Sequence, residues 1–260
     1  SYHASVKLIE TWHRNGRSIY AVTPRLAPAS SDAQPRVAGR LLQADDGLYL
    51  QSHVAENADE VAWVAELFPE RRSYLDVYDH YGLVGKRSIY AHCIHLDQTD
   101  RERMASSGAA MAFCPTSNLF LGSGLFDLDS AQLNSVRVGV ATDVGGGTSF
   151  SILQTLNEAY KVSQMSGQTL TSMKAFYLAT LGGAKALHLE HKLGNFEVGK
   201  EADFVVLDLH STPLMKRRMA VSDSIQDTLF ALMMLGDDRA VQATFVMGVC
   251  QFMKGRSTCQ

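Results

Sequence analysis

The sequence lacks the features that would define several other classes of protein. No apolar run approaches the ~20 residues that a membrane-spanning helix needs, and no secretory signal opens the chain. No G-x-G-x-x-G string follows a strand pattern, which disfavours a dinucleotide-dependent dehydrogenase. The net charge is only -3, from 24 basic and 27 acidic residues, so the composition does not indicate a nucleic-acid-binding surface.

Cysteine is scarce and scattered. The four cysteines, Cys93, Cys114, Cys250 and Cys259, form no C-x-x-C pair, which favours a reduced cytoplasmic enzyme. Cys93 follows His92 directly, and we interpret it as a packed residue because cysteine is among the most buried residue types. Hydrophobic residues make up 46% of the 260 positions, which is enough to bury a sizeable core.

Short apolar runs alternate with helical patterns along most of the chain. The strand patterns cover residues 18–23, 48–52, 88–91, 110–114 and 136–142. Nearly continuous apolar strands separated by helices indicate a parallel sheet covered on both faces. The predicted fold class is therefore α/β: the C-terminal part of a (β/α)8 TIM-type barrel, with about five of its eight strands, followed by a small β appendage.

This interpretation predicts two domains. Residues 1–190 form the partial barrel of a metal-dependent hydrolase, and residues 191–260 form a C-terminal β appendage with a helical insert. Val6, Ile9 and Trp12 already share one helix face near the start of the chain, and no methionine precedes Ser1. We therefore expect the sequence to belong to a longer protein that supplies the other strands before Ser1.

Polar residues stand at the carboxyl ends of three predicted strands. His53 follows the second strand, His92 follows the third, and Asp143 follows the fifth and precedes three glycines. In a parallel barrel these ends meet at one mouth, which is where active sites lie. Imidazole and carboxylate are ligands of catalytic divalent ions, which lower the pKa of a bound water to about 7. The pattern therefore predicts a metal-dependent hydrolytic site.

The residue types suggest separate roles within that site. His53 and Asp143 fit as metal ligands, whereas Glu56 could shuttle a proton, as a glutamate does in zinc deaminases. His92 could hydrogen-bond the attacking water or the leaving group. Each residue also has a structural alternative: a satisfied polar residue for the histidines, a turn for Asp143, and a helix-start carboxylate for Glu56. Their order at successive strand ends favours catalysis.

Arg25 lies just past the first predicted strand, at the same expected mouth. Its guanidinium offers fixed donors that suit a carbonyl oxygen or a ring nitrogen of a substrate. A surface arginine or an ion pair is the alternative interpretation.

Several strings together resemble the guanine deaminases, zinc-dependent barrel enzymes of the amidohydrolase superfamily. The histidine and aspartate signals at 53, 92 and 143 are shared by the whole superfamily. Three strings are similar to guanine deaminases in particular: Thr-Pro-Arg at 23–25, His-x-x-Glu-Asn at 53–57, and Gly-Asn-Phe-Glu-Val-Gly-Lys at 194–200. The resemblance extends over nearly the whole chain, to residues 236–239.

The resemblance implies hydrolysis of guanine to xanthine and ammonia, a reaction at the C–N bond of a cyclic amidine. One zinc ion per chain would be held by His53 and Asp143, and Asp143 would also take a proton from the attacking water. Glu56 would protonate the purine ring and pass protons to the ammonia, His92 would position the nucleophile beside the substrate, and Arg25 would hold the guanine carbonyl. The family implies a cytoplasmic homodimer of purine catabolism, with no nucleic-acid or membrane partner.

One family feature is absent from the sequence. The family carries a His-x-His pair with two further zinc ligands, whereas His92 and His95 here are three residues apart. The resemblance places that pair, and half of a β-sandwich, before Ser1, so the chain alone is expected to be inactive. Zinc itself rests on the resemblance, since histidine and aspartate suit several divalent metals.

Two alternatives stay open. The first is a related amidohydrolase that acts on a pterin, a triazine or a nucleoside. The second is a non-catalytic barrel remnant or scaffold, which the absent His-x-His pair favours and the retained Glu56 disfavours.

Overall fold

The computed structural model describes residues 2–255. They divide into two compact units, one containing the chain up to Phe113 together with Gly122–Val138, the other Cys114–Leu121 and the chain from Gly139 onward. The strands are β1 (Ala21–Val22), β2 (Tyr49–Val54), β3 (Ser88–His92), β4 (Ala110–Phe113), β5 (Arg137–Val140), β6 (Phe204–Leu207), β7 (Val241–Val246) and β8 (Val249–Met253).

Twelve α-helices lie among residues 2–255. They are α1 (Tyr2–Trp12), α2 (Ala33–Ala44), α3 (Ala58–Leu67), α4 (Tyr74–His80), α5 (Gln98–Ser107), α6 (Pro115–Phe120), α7 (Leu128–Leu133), α8 (Ile152–Met165), α9 (Ser172–Ala179), α10 (Leu181–Ala186), α11 (Pro213–Met219) and α12 (Ile225–Leu235). None of the described helices combines the length and the apolar character needed to cross a membrane.

The first five strands form one sheet in the order in which they occur along the chain. Strands β1 to β4 pair in parallel, and His53 of β2 lies opposite Ala91 of β3 in the register. The next pair is Val54 with His92, so the carboxyl ends of β2 and β3 stand side by side. The predicted α/β class and parallel sheet are confirmed.

Residues close together in the sequence set the boundaries of α5. The sequence predicts a helix after β3 that begins at the cap residue Asp97, carries Met104 on its inner face and ends at Gly108, and α5 confirms it. Asp97 accepts a hydrogen bond from the backbone N–H of Asp100 in a capping box, and Gly108 ends the helix with a left-handed φ of 77°. Met104 on its inner face is fully buried, as expected. This helix brings the chain back from the end of β3 to the start of β4.

Two expected helix faces differ from the structure. The spacing of Val61, Ala65 and Phe68 predicts one shared helix face, but Val64 is the buried residue of α3. The apolar spacing from Met173 to Leu187 predicts one core-facing stripe on a single helix, but these residues belong to two helices, α9 and α10, which meet at Thr180.

Glycines make a close contact in the region where the 173–187 stripe is predicted to face the core. A Cβ atom on Gly139 would lie 3.2 Å from the Cα atom of Gly183, so β5 and α10 approach each other closely. Met173, Tyr177 and Leu187 are exposed, and this part of the core depends on small residues such as Ala175 and Ala184. Hydrophobic spacing alone predicts large residues at the contact, which is wrong here.

The C-terminal strands form a separate antiparallel sheet in the order β6–β7–β8. The sequence predicts β-like runs at 204–207, 243–247 and 250–252 with a turn at Gly248, and the structure confirms them, with a φ of 75° at Gly248 between β7 and β8. Phe204 stacks on Phe245 across β6 and β7, with ring centroids 4.5 Å apart. Helices α11 and α12 lie between β6 and β7 in the sequence. The division at residue 190 stays a prediction.

Candidate active site

His53 occupies the second-last position of β2 rather than the loop after it. Its Nδ1 lies 2.6 Å from the backbone carbonyl oxygen of Arg25. A carbonyl can only accept, so Nδ1 must carry the hydrogen in this contact, and the lone pair of a neutral ring then lies on Nε2. Metal-bound histidines almost always donate their second ring N–H in this way. The local structure therefore makes His53 Nε2 a candidate metal ligand.

The backbone of Pro24 and Arg25, just after β1, is contacted by Ser52. The Ser52 hydroxyl lies 2.8 Å from the carbonyl oxygen of Pro24 and 3.1 Å from that of Arg25. Its other neighbour is the hydroxyl of Tyr78, which donates to the backbone carbonyl of His53 at 2.8 Å. Burial raises the pKa of Tyr78 to about 12, so this phenol remains a donor at neutral pH.

The side chain of Arg25 itself is exposed. Its backbone carbonyl orients His53, which the sequence did not reveal, whereas the expected contact of its guanidinium with a substrate stays a prediction. The two functions are chemically separable, because only the second depends on the arginine side chain.

His92 is the last residue of β3 and is 1% exposed. Its ring stacks on that of His53 with the centroids 5.5 Å apart and the planes at 21°. The candidate ligand nitrogens of these two rings lie within 4.8 Å of each other. Two imidazoles from neighbouring strands therefore face the same small volume, as the sequence predicts.

The backbone is strained where these two strands end. Ala55, His92 and Cys93 have φ values of 50°, 71° and 55°, in the left-handed region that non-glycine residues rarely adopt. Such residues cost on the order of 1–3 kcal/mol each and cluster at functional sites. The carbonyl of Ala55 accepts hydrogen bonds at 3.1 Å from the backbone N–H groups of Ile94 and His95, which ties the two loops together.

Glu56 points toward His92. Its Oε2 lies 3.7 Å from His92 Nε2, and its Oε1 accepts a hydrogen bond of 3.1 Å from the hydroxyl of Ser123. The structure thus brings together His53, His92 and Glu56, three of the predicted site residues.

A second glutamate, Glu60, forms hydrogen bonds at the start of α3. Asn57 caps α3 by accepting from the backbone N–H of Glu60, and a carboxylate oxygen of Glu60 accepts from the backbone N–H of Glu56. The second Glu60 oxygen accepts from the hydroxyl of Tyr74, whose pKa burial raises. The alternative interpretation of Glu56 as a helix-start carboxylate therefore describes Glu60 instead.

Asp143 belongs to the second compact unit and follows β5 by three residues. It too has a left-handed backbone, with a φ of 48°, and its carbonyl accepts from the backbone N–H of Gly147 at 2.5 Å. The hydroxyl of Thr116 donates to the carbonyl of Thr142 at 3.1 Å and anchors the start of this loop. The expected turn is present, and it holds Asp143 in a defined conformation.

Two of the three glycines in this loop leave no room for a side chain. A Cβ atom on Gly147 would lie 1.8 Å from the carbonyl oxygen of Thr142, and one on Gly146 would lie 2.7 Å from the Ser117 hydroxyl. A run of three glycines predicts a loop that permits a close approach of the backbone, and these short distances confirm it.

Replacing Gly147 with alanine should therefore distort the Asp143 loop. We expect G147A to lower the free energy of unfolding by about 1–3 kcal/mol, the usual cost of overpacking, and to weaken metal binding as well. Chemical denaturation and metal titration measure the two effects. Gly85→Ala is the matched control, because no atom lies within 4 Å of the place that its new Cβ atom would occupy. Equal stability of the two variants would contradict the steric explanation.

His53 and His92 are candidate metal ligands in the first compact unit, and Asp143 is a candidate in the second. Imidazole and carboxylate are both ligands that a catalytic zinc ion accepts. The sequence assigned His53 and Asp143 as ligands and gave His92 another role, so His92 is an additional candidate. The individual roles of these residues stay predictions.

Sequence reasoning missed three residues of this region: Ser52, Tyr78 and Ser123. Ser52 and Tyr78 support the backbone around His53, and Ser123 contacts Glu56. Isolated serines and tyrosines carry no motif. For Ser123 the partner is 67 residues away in the sequence, so only the tertiary structure reveals the contact.

Known proteins resemble this chain over nearly its whole length. The chain is 53% identical to a guanine deaminase of Escherichia coli (strain K12) over 248 residues, which are 95% of this chain and 56% of the relative. The solved structure of an E. coli guanine deaminase matches with a TM-score of 0.96 and 51% identity, covering 97% of this chain and 59% of that one. The chain thus spans a little over half the length of these relatives.

Two more distant structures carry ligands. A guanine deaminase from C. acetobutylicum with guanine bound in its active site matches with a TM-score of 0.85 and 28% identity, over 96% of this chain and 60% of that one. An adenosine deaminase from Xanthomonas campestris with bound zinc matches with a TM-score of 0.84 and 25% identity, over 97% of this chain and 56% of that one.

The family assignment follows from these matches. The α/β sheet of five strands corresponds to part of a TIM-type barrel, and the antiparallel sheet follows it, as expected. The model of the amidohydrolase family matches residues 2–250. This chain therefore belongs to the amidohydrolase family.

Proposed function

We propose that the protein containing this chain hydrolyses guanine to xanthine and ammonia. The observation that carries the proposal is the placement of Glu56 Oε2 3.7 Å from His92, beside the stacked imidazoles of His53 and His92. A carboxylate next to candidate metal ligands is the arrangement that hydrolytic deamination requires. The likeness to guanine deaminases supports guanine as the ring and disfavours pterins, triazines, nucleosides and a scaffold role.

The proposal includes one zinc ion per chain, with His53 and Asp143 as ligands. When bound, zinc would lower the pKa of a water molecule to about 7 and so supply a nucleophile at neutral pH. The hydrogen bond from His53 Nδ1 to the carbonyl of Arg25 supports His53 as a ligand through Nε2. Two further histidine ligands, implied by the resemblance, would come from sequence outside this chain.

The remaining residues handle protons and the substrate. Asp143 takes a proton from the water as its oxygen attacks the carbon that bears the amino group, and His92 orients that water. Glu56 donates a proton to the adjacent ring nitrogen, takes up the proton that remains on the added hydroxyl, and passes it to the amino group, which leaves as ammonia. The proton held by Asp143 then returns to Glu56 and restores both carboxyl groups. The oxygen added becomes the second carbonyl of xanthine, and the sum is guanine plus water giving xanthine plus ammonia.

Arg25 is proposed to hold the guanine carbonyl through its exposed guanidinium. Arg25→Ala should therefore raise KM for guanine about 10–100-fold, the usual loss for a hydrogen bond to a charged group, with a smaller change in kcat. Metal content should stay the same, because alanine retains the backbone carbonyl that His53 contacts. Steady-state kinetics measures KM and kcat of Arg25→Ala, and Arg40→Ala, at another exposed arginine, is the control. An unchanged KM would remove the assignment.

The wider setting is also part of the proposal. We assign the protein to purine catabolism in the cytoplasm. It would act as a homodimer, and the molecule that it binds would be a small substrate. The slight net charge of -3 supports the absence of a nucleic-acid partner.

A panel of ring substrates tests the proposed function. The full-length gene product containing this sequence would be incubated with guanine, a pterin, a triazine and adenosine, and ammonia release would be measured for each. We expect guanine to have the highest kcat/KM. A higher value for another ring would replace guanine in the proposal, and no ammonia from any of them would favour the scaffold interpretation.

A further inference from the structure

Ser123 makes a contact with Glu56 that the proposed chemistry does not yet use. The Ser123 hydroxyl donates to Glu56 Oε1 at 3.1 Å, and the residue is only 5% exposed. The side chain of Glu56 is 19% exposed, and its other carboxylate oxygen faces His92. The two oxygens of Glu56 therefore have different partners and are not chemically equivalent.

The segment that carries Ser123 is itself fixed. The backbone carbonyl of Ser123 lies 3.1 Å from His95 Nε2, and a carbonyl can only accept, so the ring nitrogen donates. The next residue, Gly124, has a φ of 133°, and a Cβ atom there would approach Ile94 to 3.0 Å. Beyond it, Phe126 is buried and stacks on Phe113 at 4.6 Å.

His95 also connects this segment to the loop of Glu56. Its backbone N–H donates to the carbonyl of Ala55, the residue immediately before Glu56. One residue thus holds both the backbone beside Glu56 and the backbone of Ser123. The distance between the Ser123 hydroxyl and Glu56 is set by this connection.

We propose that Ser123 is a positioning residue for Glu56. The terminal torsion of a glutamate has a broad energy profile, so its carboxylate can rotate unless it is held. By binding Oε1, Ser123 fixes this torsion and leaves Oε2 as the oxygen that carries the proton. This inference rests on the proposed function, because it assumes that Glu56 transfers protons.

The test combines two single variants and their double variant in the full-length protein. Ser123→Ala should lower kcat for guanine about 10–100-fold, because a hydrogen bond to a charged group is lost. KM should change less than about twofold, because Ser123 is not proposed to bind substrate. In the Glu56→Gln background the same change should have no further effect on kcat, because the proton carrier is already absent. Ser130→Ala, in the same segment but bonded to Asp127, should leave kcat unchanged.

The outcomes separate this inference from the proposed function. Wild-type guanine turnover with an unchanged kcat for Ser123→Ala overturns the positioning role alone, as does a full additional loss in the Glu56→Gln background. If the wild-type protein prefers another ring in the panel, guanine is wrong and the same variants are measured with that ring. Failure to turn over any ring overturns both proposals. Thermal unfolding of each variant checks that the fold is retained.

Discussion

Glu56→Gln is expected to reduce kcat for guanine deamination about 10²–10⁴-fold, the usual contribution of a general acid–base residue. The amide cannot take up and release a proton in this way, but it has almost the shape of the carboxylate and retains an oxygen to accept from Ser123. Bound metal should stay at the wild-type amount, because Glu56 is not proposed as a ligand. KM should change little by comparison, since the lost interaction belongs to the transition state.

Steady-state kinetics and metal analysis on the same purified sample measure this prediction. Glu66→Gln is the matched control, an exposed glutamate on α3 for which wild-type kcat is expected. A Glu56→Gln enzyme with wild-type kcat would show that the proton carrier is another residue. Loss of metal together with activity would instead indicate that Glu56 supports the ligands.

The second large effect concerns His53. His53→Ala should remove stoichiometric metal and reduce turnover by roughly 10³-fold or more, because a metal ion supplies several kcal/mol of transition-state stabilisation. The variant also loses the hydrogen bond to the carbonyl of Arg25, which then keeps its contact with the Ser52 hydroxyl. Asp143→Asn should lose metal as well, while keeping the size of the side chain.

Metal content per chain and guanine turnover again provide the measurement. His191→Ala serves as the control, because this exposed histidine lies outside the candidate ligands, and it should keep wild-type metal and activity. If His53→Ala retained a full complement of metal, His53 would not be a ligand. The stacked pair of imidazoles would then need another explanation.

The sequence predicted the position of the site because strand ends carry strong local signals. The predicted strands stop just before His53 and His92, whereas β2 extends to Val54 and β3 to His92, so both histidines lie within the last two positions of their strands. The helix α5 was predictable from end to end, since Asp97 and Gly108 are specific start and stop residues. The spacing of apolar residues and the helix-capping residues both act over short distances in the chain, so these features can be predicted from a single sequence.

Other features depend on contacts between distant parts of the chain. The orientation of His53 comes from the backbone of Arg25, 28 residues earlier, which no side-chain motif reports. Ser123 reaches Glu56 through a segment fixed by His95 and Phe126, and a lone serine gives no signal of this. Met173, Tyr177 and Leu187 of the 173–187 stripe are exposed, and the close approach of α10 to β5 is made by Gly139 and Gly183, which hydrophobic spacing does not reveal.

Metal-dependent guanine turnover by the full-length gene product tests the central claim most directly. Guanine loss and xanthine formation would be followed by ultraviolet absorbance, with metal counted on the same sample, then repeated after chelation and after zinc is returned. The proposal predicts about one zinc ion per chain, one xanthine for each guanine consumed, loss of turnover on chelation and recovery with zinc. Guanine turnover that persists without metal, or a full complement of zinc with no xanthine formed, would contradict it.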